Sequence, residues 1–402
     1  MLARESLKAR PALVTVAAFC LAALGPRTSF CQSTSVRSSP ASTELRLTAH
    51  SSYLDATARE PMIVEHPDGT LFVTGYEGHE SPSGEQTVPR LWRSSDHGGT
   101  WSAVNVGTEG DGAVGNSDVD LAVARDGTLY FVSMGYDAKK NEGTHIAVGV
   151  STDSAKTWHW TMLSKHRYDD RPWVVVAPDG GAHVIWNDGS GVYHAVSRDR
   201  GTTWTVLQAI HPGGGSSHLS VGPNGELAAR IVPLSASGNK FSKGFELVAV
   251  STDGGATWQK HPVPGQRNWA FSADGATPRW VEPVAWDAKG GLYLLWTEVS
   301  GVWLARSLDL GVTWQVWRIA ESEGDALSYY PYLVARGPGE LAATWFTGTG
   351  DSLVWQLCKI RVGDHSARPQ LLNRLLSDRT SGTHPLWGVR FKERREASIY
   401  LS

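Results

Sequence analysis

Three cysteines in 402 residues, Cys20, Cys31 and Cys358, provide no disulfide framework. Cohesion must come from apolar packing and backbone ladders. Excess charge of one sign is also missing. The formal net charge is −3 and the pI about 6.5, which gives no argument for a nucleic-acid partner. Helical periodicity is scarce between residues 45 and 370, and this excludes the helical fold classes. The one long apolar run, Pro11–Gly25, is too short and too early for a membrane span. Preceded by Arg4, Lys8 and Arg10, it reads as a secretory signal over residues 1–31, with a flexible linker over 32–43 and a secreted, extracellular or periplasmic product. Loss of that segment, with Arg4, Lys8, Arg10, Arg27 and Glu5, would take the net charge to about −6. The 14 His show no zinc spacing, and His194, His211 and His218 read as structural. Gly213-Gly214-Gly215 precedes a strand rather than a helix, so a phosphate loop is unsupported, and no Ser nucleophile elbow occurs.

What the chain has in quantity is Gly (43) and Trp (18), a pairing that suits short strands joined by tight turns. Much of it falls in one motif. Ser94–Trp101, Ser151–Trp158, Ser197–Trp204, Ser251–Trp258 and Ser307–Trp314 share the pattern S-x-D-x-G-x-T-W, with Ala155 alone at the Gly position. The Asp and Ser side chains suit the unpaired N–H groups of a hairpin turn. The Gly tolerates positive φ, and the Trp offers a large surface to a neighbouring hairpin. Five copies make this a repeat protein.

A second repeat of strand, Gly turn and strand alternates with the first. Its turns are Pro67-Asp68-Gly69, Arg125-Asp126-Gly127, Pro178-Asp179-Gly180, Pro223-Asn224-Gly225, Lys289-Gly290-Gly291 and Gly337-Pro338-Gly339. The unit is therefore four antiparallel strands, a propeller blade, and six units predict an all-β six-bladed β-propeller over residues 44–402. A solenoid of open blades is the rival, but ring closure removes exposed sheet edges. The sixth unit, Tyr330–Arg361, lacks the eight-residue box. Its outer strand is expected from Glu44–Thr48 or Ala397–Leu401.

In such a blade the first strand lies nearest the axis and starts at the mouth opposite the boxes. Nine residues before each turn Gly stand Glu60, Asp118, Arg171, Ser216, Glu282 and Tyr330, and in four cases the next residue is Pro, which suits a strand start. One step earlier come Arg59, Asp170 and Tyr329. Ionisable residues thus collect at one mouth, which is a functional signal as a set even though ion pairing or N–H acceptance accounts for any single one. An acidic mouth of this kind also admits bound calcium; no other metal or cofactor is indicated. The box residues themselves read as structural.

The boxes and the strand pattern resemble the sialidase (neuraminidase) superfamily of BNR-repeat proteins over about residues 45–370. That resemblance implies the propeller and, for enzymes of the family, three Arg that clamp a sugar carboxylate, a Tyr nucleophile activated by a Glu, and an Asp acid/base. Arg59-Glu60-Pro61 resembles the family's Arg-Ile-Pro start, Tyr330 its nucleophile, and Glu282 its activating Glu, with Asp287 as a rival. The chain departs from the pattern in the blade-one loop Tyr76–Val88, where Glu77, Glu80 and Glu85 are the only carboxyls; Glu85 is then the candidate acid/base. Arg171, Arg230 and Arg279 are candidates for the remaining clamp, and Asp118 and Asp170 for substrate binding. Trp186, Trp296 and Trp345 near the same mouth read as inter-blade packing, with sugar stacking as the alternative. The resemblance implies an exo-sialidase acting on extracellular glycan. A non-catalytic propeller binding glycan or protein is the second reading, and a scaffold using the blade sides the third.

Overall fold

The computed structural model describes residues 13–14, 52–56, 58–76, 88–232, 246–264, 282–298, 300–322, 324, 326–349, 352–363 and 368–376. Six four-stranded antiparallel sheets, each of strands consecutive in sequence, form a six-bladed β-propeller. The blades span residues 59–103, 119–164, 170–206, 215–262, 284–321 and 327–376. The first strands are Arg59–Glu65, Val119–Val123, Asp170–Val176, Gly215–Val221, Val284–Trp286 and Leu327–Ala335. From blade one to blade six each touches the next, and so they line the axis. No α-helix occurs among the described residues, and no helix there is long and apolar enough to cross a membrane.

The second strands explain the ring. Leu71–Tyr76, Ala182–Asn187 and Leu292–Glu298 are buried at every position, so both faces of each sheet need cover. Successive side chains alternate between the two faces. In blade one Phe72, Tyr76 and Leu91 pack on Leu121, Leu129 and Phe131 of blade two. On its other face Val73 and Trp92 pack on Leu54 from the segment preceding the blade. That segment is tied down by Trp92 Nε1–H donating to Asp55 Oδ1 (2.6 Å) and Trp101 Nε1–H to Ser52 Oγ (2.8 Å). Comparable clusters fill the junctions between blades two and three, three and four, four and five, and five and six.

One expectation is corrected. The outer strand of blade six is Gln370–Leu376, paired to Ser352–Arg361, so the blade closes from the adjoining chain and not from either distant end. Glu44–Thr48 and Ala397–Leu401 lie outside the described residues, as do the linker and nearly all of the expected signal; Leu13–Val14 pairs antiparallel with Ser52–Tyr53.

The five boxes share one hydrogen-bond set. In the fourth, Gly255 N–H donates to Ser251 Oγ (2.8 Å), Thr257 N–H to Asp253 Oδ1 (2.9 Å) and Thr257 Oγ1–H to Asp253 Oδ2 (2.5 Å). The Gly position and the residue before it both take positive φ: 86° at Gly255 and 68° at Gly254. Ala155 and Ser154 do the same at 65° and 58°. Space decides which residue is tolerated. A Cβ on Gly255 would stand 2.0 Å from His194 Cε1. Gly255→Ala is therefore expected to cost at least about 2 kcal/mol, adding overpacking to left-handed strain. In Ala155→Gly, relief of that strain (about 1 kcal/mol) offsets loss of a buried methyl (about 0.8 kcal/mol), so the net change stays below about 1 kcal/mol. Urea unfolding of the two variants checks this contrast.

Hydrogen bonds from the Thr backbone and hydroxyl hold all five box carboxyls, Asp96, Asp153, Asp199, Asp253 and Asp309, at about 2. A carboxyl depressed by folding stabilises the fold above its unfolded pKa and ceases to as pH falls through its folded one. The stability gap between wild type and Asp253→Asn should accordingly be flat above about pH 4 and close as pH approaches 2. Urea midpoints across that range measure it; a gap that persists unchanged at pH 2 contradicts the assignment.

Candidate functional site at the axial mouth

The mouth is built from the starts of the six first strands. In four of them the ladder shifts register: between Arg59 and Met62, between Asp170 and Trp173, between Ser216 and His218, and between Tyr329 and Tyr332. Three of these breaks are bulges holding a residue-proline pair, Glu60-Pro61, Arg171-Pro172 and Tyr330-Pro331. The first residue of each pair is left-handed, with φ of 46°, 52° and 47°. A non-glycine residue pays about 1–3 kcal/mol for that conformation, and a following proline restricts it further. Bulges of this kind re-aim side chains. The proline spacing located these positions; their left-handed backbone had no signal in the sequence.

Between blades two and three the mouth is acidic. Asp118 is half-buried and accepts from Ser117 Oγ–H (3.2 Å). Asp170 Oδ2 lies 3.8 Å from Nε of the buried Arg171. Burial pushes the Tyr136 phenol up, and Asp170 and Asp118 add to this, so the two carboxylates share its surroundings. Asp169, fully buried, accepts from Ser164 Oγ–H (2.9 Å) and His166 N–H (2.8 Å); burial still raises its carboxyl to about 6. Asn187 Oδ1 accepts from Ser216 N–H (2.9 Å), and Ser216 Oγ–H donates to the Arg171 carbonyl (2.7 Å), stitching blade three to blade four.

Between blades four and five the mouth holds a buried ion cluster. Arg230 Nη2 donates to Glu246 Oε2 (2.9 Å) and Glu282 Oε2 (3.2 Å), and all three side chains are at most 3% exposed. Glu282 N–H donates to Ser217 Oγ (2.8 Å). Glu282 is thus a neighbour of Arg230 at the start of blade five. Its rival Asp287 sits at the other end of that blade, accepting Gly291 N–H (2.9 Å), Gly339 N–H (2.8 Å) and Tyr293 Oη–H (3.0 Å), a turn brace that also joins blade six.

Two residues further along each first strand lies a floor: Met62, Asp120, Trp173, His218, Val284 and Tyr332. Asp120 accepts Leu121 N–H (2.7 Å) and Val174 N–H (2.8 Å), while burial drives its carboxyl up to about 7. Counting two residues on from the mouth positions finds this layer, with a register shift intervening in four of the six strands.

Arg59 opens the first strand of blade one, half-buried and opposite Tyr76, and Tyr330 is half-buried beside Tyr329. Glu77, Glu80, Glu85 and Arg279 lie outside the described residues. Trp186, Trp296 and Trp345 are at most 3% exposed and belong to inter-blade cores; Trp186 stacks on Tyr193 and Trp296 on Trp303. Among the described residues no group of three His, Cys, Asp or Glu could hold a metal ion.

The family model described as a BNR repeat-like domain matches residues 39–262. The chain belongs to this family. No curated protein matches it in sequence. Among solved structures it is similar to an α-L-arabinofuranosidase from Fusarium graminearum, with 16% identity, TM-score 0.50, and 73% of this chain and 89% of that one covered. It is also similar to a Hadza microbial sialidase (16%, 0.48, 75% and 67%) and to an α-L-arabinanase from Penicillium chrysogenum (16%, 0.48, 72% and 90%). At such identity the likeness to the first is one of fold.

The BNR propeller's ion cluster makes a stability prediction. Arg230→Met removes the guanidinium that two buried carboxylates share and should cost about 3–5 kcal/mol in urea unfolding. A loss below about 1 kcal/mol would contradict the burial described for the three groups.

Proposed function

We propose that this BNR propeller is a secreted glycoside hydrolase of the exo-sialidase type, acting on extracellular glycan at its axial mouth. The observation that carries the reading is the set of left-handed residue-proline bulges at Glu60, Arg171 and Tyr330. Backbone strain of this order persists where the surrounding fold over-determines it, and such strain gathers at functional sites. Here it recurs at one end of three first strands and bears a carboxylate, a guanidinium and a phenol.

The chemistry follows from these residue types. Arg59 and Arg171 offer guanidinium forks to a sugar carboxylate, with Asp118 and Asp170 accepting sugar hydroxyls. Tyr330 Oη attacks the anomeric carbon and passes its proton to Glu282. The glycosidic bond breaks as the leaving oxygen takes a proton from Glu85, giving a glycosyl-tyrosine. Water, deprotonated by Glu85, then displaces Tyr330, which recovers its proton. A neutral phenol suits this task because an anionic nucleophile would be repelled by the substrate's carboxylate.

A non-catalytic glycan-binding propeller is the second reading, favoured by the complete burial of Glu282 against Arg230. Release of sialic acid from a reporter glycoside, with arabinofuranosyl and other neutral reporters alongside, separates the readings. The hydrolase predicts turnover reduced at least about 100-fold in Tyr330→Phe. Unchanged turnover in that variant eliminates the mechanism. Glycan binding without turnover, weakened by Arg59→Ala or Asp170→Ala, supports the second reading instead.

A further inference from the structure

We infer that Tyr332 and His218 form a positioning pair for Tyr330, holding the bulge that carries the phenol from the floor of the mouth. The inference rests on the reading of Tyr330 as the nucleophile.

The bulge has to be held by something. Tyr330 is left-handed at φ 47° and is followed by Pro331, a combination that a free chain avoids. The ladder to the second strand stops at Tyr329↔Phe346 and resumes at Tyr332↔Thr344. Tyr332 is therefore the residue at which the strand is caught again, and only the rigid ring of Pro331 separates it from Tyr330.

Tyr332 is in turn fixed from across the axis. Its hydroxyl lies 3.2 Å from His218 Nε2, and the two rings stand at 89° with centroids 5.5 Å apart. His218 belongs to blade four, and two further blades secure it. Val284 N–H of blade five donates to its Nδ1 (3.3 Å), and Trp173 of blade three meets its ring edge-on at 5.0 Å. Because Nδ1 accepts, the ring hydrogen is on Nε2 and is donated to the Tyr332 hydroxyl. Burial pushes the His218 imidazole down to about 4, so the ring stays uncharged throughout the neutral range. Burial, with Asp120 nearby, raises the Tyr332 phenol, which keeps it protonated alongside. The other two residue-proline bulges are followed by Met62 and Trp173, apolar side chains with no hydroxyl at the corresponding place. Blade six has a polar anchor, and it is the blade with the phenol to place.

Tyr332→Phe removes one oxygen and keeps the ring, so it tests the anchor. Where wild type hydrolyses a reporter glycoside, kcat should fall about 10–100-fold with KM within about twofold, as expected of a misplaced reacting group. His218→Gln, with an amide to donate to Tyr332 and a carbonyl to accept from Val284, should recover activity relative to His218→Leu. A readout independent of turnover is 3-fluorotyrosine placed at position 330. Its fluorine signal should be single and narrow in the parent, and broadened or doubled with Tyr332→Phe, while the thermal transition stays cooperative. Unchanged kcat with an unchanged fluorine signal overturns the inference. A wild type that turns over no glycoside overturns the hydrolase reading alone, and the fluorine signal then judges the placement by itself.

Discussion

A sheet with two apolar faces cannot stand alone in water, and every feature of this protein follows from how its six sheets meet that requirement. Leu292–Glu298 is buried at all seven positions, so blade five needs a neighbour on each side and has one: Leu294 and Trp296 pack toward blade four, Tyr293 and Leu295 toward blade six. Repeating this around a ring satisfies each sheet with identical geometry. Blade one meets the same demand differently, since Leu54 from the preceding segment joins Val73 and Trp92 on its outer face. The site is a consequence. Radial sheets bring six strand starts to one opening whatever their separation in sequence.

Close approach at the axis creates a second demand, because backbone and charge there must be satisfied by neighbouring blades. The structure answers with cross-blade bonds at and around the first strands: Val174 N–H to Asp120, Ser216 N–H to Asn187, Glu282 N–H to Ser217, Val284 N–H to His218. Such side-chain acceptors replace the ladder bonds that a bulged or terminating strand forgoes. Polar residues near the axis therefore have two kinds of work. Asp120 and Ser217 join blades, whereas Asp118, Asp170 and Tyr330 stand further out and remain partly exposed.

Much of this was legible. The boxes and Gly turns set the blade number, and counting nine residues back from each Gly put six residues at one mouth. The outer strand of blade six was not. Gln370–Leu376 reads QLLNRLL, with no β-branched or aromatic residue and leucines spaced as in a helix, so local propensity contradicted the pairing that tertiary context imposes. The Arg230 cluster was hidden for a different reason. Glu246 and Glu282 reach Arg230 from 16 and 52 residues away, and only the assembled blades four and five reveal that this Arg is already matched. The left-handed backbone at Glu60, Arg171 and Tyr330 had no signal beyond the following proline.

That matching changes how the charge of the mouth is read. Counted as residue types, Arg59, Arg171 and Arg230 resemble a three-fold clamp for an anion. Counted as a structure, Arg230 faces two carboxylates at the base of blades four and five, and Arg171 lies beside Asp170. A guanidinium bonded to buried carboxylates of blades four and five joins those blades, a structural duty that any anion-binding role would have to share. Arg59 opens the first strand of blade one half-buried, and Asp118 and Asp170 stand half-buried on the acidic side between blades two and three. The ionisable residues of this mouth are thus divided between those that join blades and those left partly open to whatever enters it.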